Sequence, residues 1–325
     1  MSLSEASSDR HYHGIDWLRG IAAFGIVGCH LNLSPTTASG TLLQHFCDMN
    51  VGVFGCLSGF LLCLSISQKN NLIFTVKRRV ARILPVYAVW TVIYIAAGVA
   101  FDIFLAGKVS SQFSSVSFWM SAVFNGGASC HLWYLSALFY GILVFCPVLW
   151  KVQRPQARLV IFAPLSIAFL LASFLLHGNV WFYTVRLFAF LSAGIVLYEL
   201  RAMPITIPRN VCLLALTVIA VFSLKSDLWP HHFVPDYLCA ILLTTLFTDT
   251  SFSANRIGKL FGETSLGVYL VHPLMTAGLG VLVRKLYGPP YSAVVVIADW
   301  LGAYLMALAL TLVMLRISWI RRFVR

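Results

Sequence analysis

Charge is scarce in this 325-residue chain: Asp, Glu, Lys and Arg make up 10% of it, against 59% hydrophobic residues. Soluble domains carry about 25% charged residues, so an ordinary water-facing surface is excluded. Acidic residues are the scarcer sign, 11 against 23 basic, for a formal net charge of +12. No polar stretch is long enough to form a separate soluble domain, so the basic excess has no groove to line and nucleic-acid binding is not expected. The eight cysteines are scattered, with no CxxC pair and no His/Cys ligand spacing, so nothing points to a metal site. Cys47 and Cys130 both fall near one face and are candidates for a disulfide there. Met1 to His13 lacks the apolar core of a signal peptide, so the first apolar run is expected to remain as an anchor. Internal repeats and low-complexity tracts are absent too, and residues 1–325 read as a single integral membrane domain.

What the chain has instead is apolar runs of about 20 residues, each long enough to cross about 30 Å of hydrocarbon. Ten are expected: 15–33, 46–67, 83–101, 132–150, 159–177, 182–200, 211–225, 234–250, 264–283 and 293–317. Lipid offers the backbone no hydrogen bonds, so the expected fold is all-α, with about ten transmembrane helices in one bundle. A cytoplasmic N-terminus leaves five of the 23 basic residues outside: Lys108, Arg186, Lys225, Arg284 and Lys285. That bias places both termini in the cytoplasm.

Polar residues inside such runs are costly and usually face an interior path. Arg19 and His30 share the first run. On a continuous helix their eleven-residue spacing returns both to one face, roughly 16 Å apart along the axis. Asp16 and Arg19, at i and i+3, can pair. Ser58 lies in a run rich in small residues, suited to close helix packing or to placing a hydroxyl in a cavity. Arg79 and Arg82, with Arg78 beside them, present guanidinium forks at the inner mouth of the third run. Those forks suit phosphate, and equally suit anchoring to anionic headgroups. His131 and Tyr134 enter the fourth run from an outer loop, where an aromatic belt or a substrate site would lie. Tyr269 and His272 put another imidazole midway along the ninth run, as reaction partner or as core residue. Trp133, Tyr134, Trp181 and Trp229 are outer aromatics able to anchor at the interface or stack on sugars.

Taken in order, these pieces resemble the acyltransferase 3 family of integral membrane acyltransferases over nearly the full chain. The pieces are Asp16-x-x-Arg19-Gly20, Arg19-x10-His30, Ser58-Gly59-Phe60-Leu61, Arg79-x-x-Arg82, His131-Leu-Trp-Tyr134 and Ser265-x-x-x-Tyr269-Leu-Val-His272-Pro273. The resemblance implies transfer of an acyl group, usually acetyl, from cytoplasmic acyl-CoA to an extracytoplasmic acceptor, most often a hydroxyl of a surface glycan or glycolipid. It carries catalysis to His30, support to Arg19, and acyl-CoA binding to Arg79 and Arg82, with Arg78 adjacent. Asp16, Ser58, His131, Tyr134, Tyr269 and His272 are supporting candidates. No tightly bound cofactor is expected, the acyl-CoA being a co-substrate, and membrane lipids are the other partner. The setting implied is a multi-pass plasma membrane, in bacteria the inner one. One departure stands out: many members carry an acidic residue soon after the Leu-Trp-aromatic-Leu-Ser element, whereas Ser136 is followed by Ala137 and Leu138. Neutral imidazole is suited to taking a hydroxyl proton as the oxygen attacks a thioester. A transient acyl-imidazole is the alternative route. Another acyl group, an amine or peptide acceptor, or a transporter using the same polar stripe are the competing readings.

Overall fold

The computed structural model describes residues 12–31, 38–69, 71–201, 203, 208–223, 233–248, 252–287 and 292–325; Arg10, Lys225 and Trp229 lie outside these. Among the described residues there is no strand. In chain order the helices are α1 (His13–Gly28), α2 (Ala38–Lys69), α3 (Leu72–Ala106), α4 (Val116–Phe124), α5 (Trp133–Lys151) and α6 (Pro155–Leu175). They continue as α7 (Phe182–Arg201), α8 (Arg209–Ser223), α9 (Phe233–Phe247), α10 (Arg256–Tyr287), α11 (Ala293–Arg316) and α12 (Ser318–Arg321). A short 3-10 turn, Ser111–Ser114, precedes α4.

Each expected run falls on a helix. Seven of these helices are long and apolar enough to cross a membrane: α2, α3, α5, α6, α7, α10 and α11. The other three runs are shorter, with α1 at 16 residues and α8 and α9 at 15 each. At 1.5 Å per residue these reach only about 24 Å, less than the ~30 Å hydrocarbon thickness.

The chain packs as two compact units, one formed by residues 1–60 and 200–325, the other by residues 61–199. In the first, α1 runs along α10, α10 along α11, and α1 also meets α9 and α11, while α8 pairs with α9. The buried face of α1 is rich in small residues, among them Gly20, Ala22, Ala23, Gly25 and Gly28, which lets neighbours approach closely. A Cβ on Gly20 would come within 2.3 Å of the Phe261 ring, so any larger residue there pushes α10 away. Gly25 similarly makes room for the buried Asn50 side chain of α2. Trp300 of α11 closes the packing: its ring stacks on Phe24 at 4.5 Å between centroids, and its Nε1–H donates to the Phe24 carbonyl at 2.9 Å.

In the second unit α3 packs on α5. Asn71 caps the start of α3 by accepting from the Phe74 N–H at 3.0 Å, and Gly107, at φ 66°, ends it in the left-handed conformation that glycine tolerates. Tyr87 ties α3 to the segment before α5. Its hydroxyl donates to the Ala122 carbonyl at 2.6 Å and accepts from the Gly126 N–H at 2.9 Å. Phe145, Phe162, Phe169 and Phe188 form an aromatic core between α5, α6 and α7. Apolar side chains such as Ile73, Val92 and Phe104 point outward from α3, the arrangement expected of a lipid-facing helix.

Candidate active site

The first unit brings together three of the sequence-selected residues: His30, His272 and Tyr269. α1 stops at Gly28, and the chain continues through a tight turn in which the His30 N–H donates to the Val27 carbonyl at 3.3 Å. The continuous-helix reading of Arg19 and His30 therefore needs correction. The i→i−3 bonds at residues 29 to 31 tighten the chain to about three residues per turn, so His30 lies beyond the α-helix that carries Arg19. The His30 ring lies against His272 of α10, with centroids 4.9 Å apart and planes at 37°.

His272 is wholly buried, and its orientation follows from the proline after it. Pro273 has no N–H, so the Tyr269 carbonyl, four residues back, loses its helical donor. The His272 ring supplies a replacement: Nδ1–H donates to the Tyr269 oxygen at 2.7 Å, with the Val268 oxygen at 3.2 Å. Carbonyls only accept, so Nδ1 carries the hydrogen, and in the neutral ring the lone pair belongs to Nε2. The Tyr269 ring lies 6.1 Å from His272 and 6.3 Å from Phe54 of α2.

Arg19 and Ser58 are both part-buried, on α1 and α2. Asp16 lies against Gly262 of α10, whose missing side chain makes the space: a Cβ there would meet Asp16 Oδ1 at 2.3 Å.

In the second unit the arginine cluster divides by environment. Arg79 turns inward, where its Nη2 donates to the Leu61 carbonyl at 2.8 Å and to Ser65 Oγ at 2.6 Å, gripping α2. Arg78 and Arg82 are exposed. His131 is only 3% exposed; its Nδ1 meets Ser129 Oγ at 3.0 Å, and its ring stands edge-on to Tyr94 at 4.8 Å. Tyr134 is also buried, and Trp133 stacks on Tyr183 at 4.8 Å. His131 is thus enclosed among the described residues of its unit. All eight cysteines are reduced, Cys47 and Cys130 included.

Two polar groupings went unnoticed in the sequence. In the first unit the Cys29 thiol meets the Asp48 carboxylate, with Asp236 close enough to act on it electrostatically, so two acidic residues lie near the neighbour of His30. In the second, Arg158 and Glu199 form an ion pair at 2.7 Å with side chains 5% and 2% exposed. Arg158 also donates to Ser67 Oγ at 3.0 Å and the Leu149 carbonyl at 2.8 Å, and the Cys63 thiol donates to the same Glu199 oxygen at 3.1 Å. The available signal was Glu199 itself, one of only 11 acidic residues, at the end of an apolar run.

Ionisable residues among apolar membrane helices are costly and mark functional sites, and two imidazoles lie side by side here. A family model described as an acyltransferase domain matches residues 12–316, nearly the whole chain and both units. The chain belongs to the acyltransferase 3 family, and it is a multi-pass membrane acyltransferase. No curated protein and no solved structure matches it.

Proposed function

We propose that this enzyme moves an acetyl group from cytoplasmic acetyl-CoA to a hydroxyl of an extracytoplasmic glycan or glycolipid, with His30 as general base. In this reading the seven long helices cross a bacterial inner membrane, the shorter α1, α8 and α9 complete ten segments with help from their flanking residues, and both termini are cytoplasmic. The observation that supports it is His30 itself, an imidazole set 4.9 Å from the buried His272 ring among apolar helices, since a neutral imidazole is suited to taking a hydroxyl proton. His30 takes the hydroxyl proton as the oxygen forms its bond to the thioester carbonyl carbon. The C–S bond then breaks, and the proton passes from His30 to the departing thiolate. Positioned general bases contribute about 10²–10⁴-fold, so the step relies on this side chain for a large part of the rate. Arg82 and Arg78, exposed at the start of α3, are the donor-phosphate ligands. Arg79 supports them by fixing α3 to α2.

The test is comparative mass spectrometry of cell-surface glycans from cells carrying wild type, His30→Ala or no copy. An acetyl-sized mass on wild-type glycans, absent from the other two, is expected. A different added mass changes the donor, label on an amine changes the acceptor class, and full modification by His30→Ala rejects the base. A reporter fused beside Lys77 tests the topology, since activity on the outer side reverses it.

A further inference from the structure

We propose that the segment after α11, residues 317–325, is a preformed binding site for the phosphate of an anionic phospholipid. It lies beyond the residues matched to the family model and uses none of the chemistry assigned to His30. α11 ends at Arg316, and Ile317 takes up extended backbone, φ −92° and ψ 111°, which breaks the helical path. A helix as long and apolar as α11 crosses the hydrocarbon, so its end lies at headgroup level. Turn bonds then wind the chain into a compact hook. The Arg321 N–H donates to the Ile317 carbonyl at 2.9 Å, and the Phe323 N–H to the Ile320 carbonyl at 2.8 Å. Three attachments fix the hook in place. Arg321 Nε–H donates to the Leu315 carbonyl at 2.8 Å, one of the acceptors that a helix end leaves without a helical donor. Val324 is fully buried, and Arg325 Nη2 pairs with Glu263 Oε1 of α10 at 3.2 Å.

This docking leaves an indole and three cations facing outward. Trp319 is 66% exposed, and an indole beside the end of a membrane helix belongs at the headgroup boundary. Arg316, Arg321 and Arg322 are exposed as well, and among the described residues no carboxylate pairs with them; Glu263 neutralises Arg325 instead. Like charges this close in the chain repel unless an anion sits among them. A guanidinium fork can bond two phosphate oxygens at once, and basic side chains beside a membrane are drawn to anionic lipid. The Arg322 guanidinium already lies over the Phe323 ring, 4.7 Å from its centroid, so binding has less freedom left to remove. Val313 and Ile317 expose apolar side chains next to the hook, a surface along which acyl chains can run. A soluble phosphate would meet the cations alone. A phospholipid meets the cations, the indole and the apolar face together, and that combination selects it.

Trp319 reports on the site directly. The full chain is placed in mixed micelles of detergent and phosphatidylcholine, and phosphatidylglycerol brominated on its acyl chains is titrated in. The Trp319 signal is the fluorescence difference between each protein and the same protein carrying Trp319→Phe. Wild type is expected to be quenched at a much lower fraction of brominated phosphatidylglycerol than of brominated phosphatidylcholine. Arg321→Gln with Arg322→Gln is expected to raise the half-quenching fraction of phosphatidylglycerol about thirtyfold, the effect of two cations at an anionic surface. Arg322→Gln alone gives up no backbone hydrogen bond, so folding is not at issue, and about fivefold is expected. Arg284→Gln with Lys285→Gln makes the same charge change in the last turn of α10 and is expected to shift nothing. Equal quenching by the two lipids overturns the proposal, as does an unchanged half-quenching fraction in both arginine variants. An equal shift in the α10 variant also overturns it, by reducing the preference to net charge. Coenzyme A added at millimolar concentration is expected to leave the quenching as it was; displacement of the lipid would assign these arginines to a soluble phosphate and reject the lipid site.

Discussion

Each unit sets a polar pair among its apolar helices, and the two pairs are built to opposite ends. In residues 61–199, Arg158 and Glu199 meet at 2.7 Å and are surrounded by Ser67, Cys63 and the Leu149 carbonyl. The two charges cancel within the protein, and the Arg158 guanidinium is held by several groups at once. In residues 1–60 and 200–325, His30 and His272 meet ring against ring, and only the inner nitrogen of His272 is committed to a backbone carbonyl. An ion pair in a low-dielectric interior is a fixed charge arrangement whose disruption is costly. A neutral imidazole such as His30 carries no fixed charge and can take up and release a proton. The contrast separates what a membrane protein buries to hold its shape from what it buries to react.

Removing His30 is the strongest way to break the contrast. His30→Ala is expected to reduce acyl transfer about 10²–10⁴-fold at normal expression and unchanged thermal unfolding, read by glycan labelling beside a detergent melt. Glu199→Ala should do the reverse: about 3–5 kcal/mol of stability lost by leaving Arg158 buried without its carboxylate, with kcat per folded molecule retained. A melt that does not move would show that the pair is dispensable for shape. Replacing both partners together, Arg158→Met with Glu199→Leu, should restore much of that stability, since an apolar pair carries no desolvation cost.

The arginines of α3 sharpen the same division on a smaller scale. Arg79→Ala is expected to cost about 1.5–3 kcal/mol, because its charged hydrogen bonds hold α2 to α3. Arg82→Ala should leave the melt unchanged and raise the acetyl-CoA KM about tenfold, the equivalent of ~1.4 kcal/mol. Equal melts and equal donor KM values for the two variants would remove the distinction. Tyr87→Phe gives up two neutral hydrogen bonds to the segment before α5, about 0.5–1.5 kcal/mol each, and is expected to lower the melt with the donor KM unchanged.

Much of the fold was legible because a span must be both long and apolar, and both properties are local. The ends of the helices were not. Nothing in Gly28-Cys29-His30 announces that the backbone tightens there and ends the α-helix before His30. The His272–Pro273 order was legible as a motif, and with it the loss of a donor at Tyr269; that the ring itself makes good the loss required coordinates. Arg79 and Arg82 look equivalent at i and i+3, and only the packing of α2 against one of them separates a structural cation from an exposed one. Arg158 counted as an inner-face charge in the sequence, but its partner lies 41 residues away on another helix, a pairing that spacing cannot show.

That distance has a consequence for how the protein is made. Arg158 lies in the first turn of α6, and Glu199 lies near the end of α7. Because chains are synthesised from the N-terminus, α6 leaves the ribosome with a cation near its end and no anion to meet it until α7 follows. An uncompensated arginine disfavours insertion, whereas the helical hairpin carrying both charges enters as a neutral pair. Biogenesis of residues 155–201 is therefore expected to proceed as one two-helix step, with Glu199 acting at insertion as well as in the finished fold.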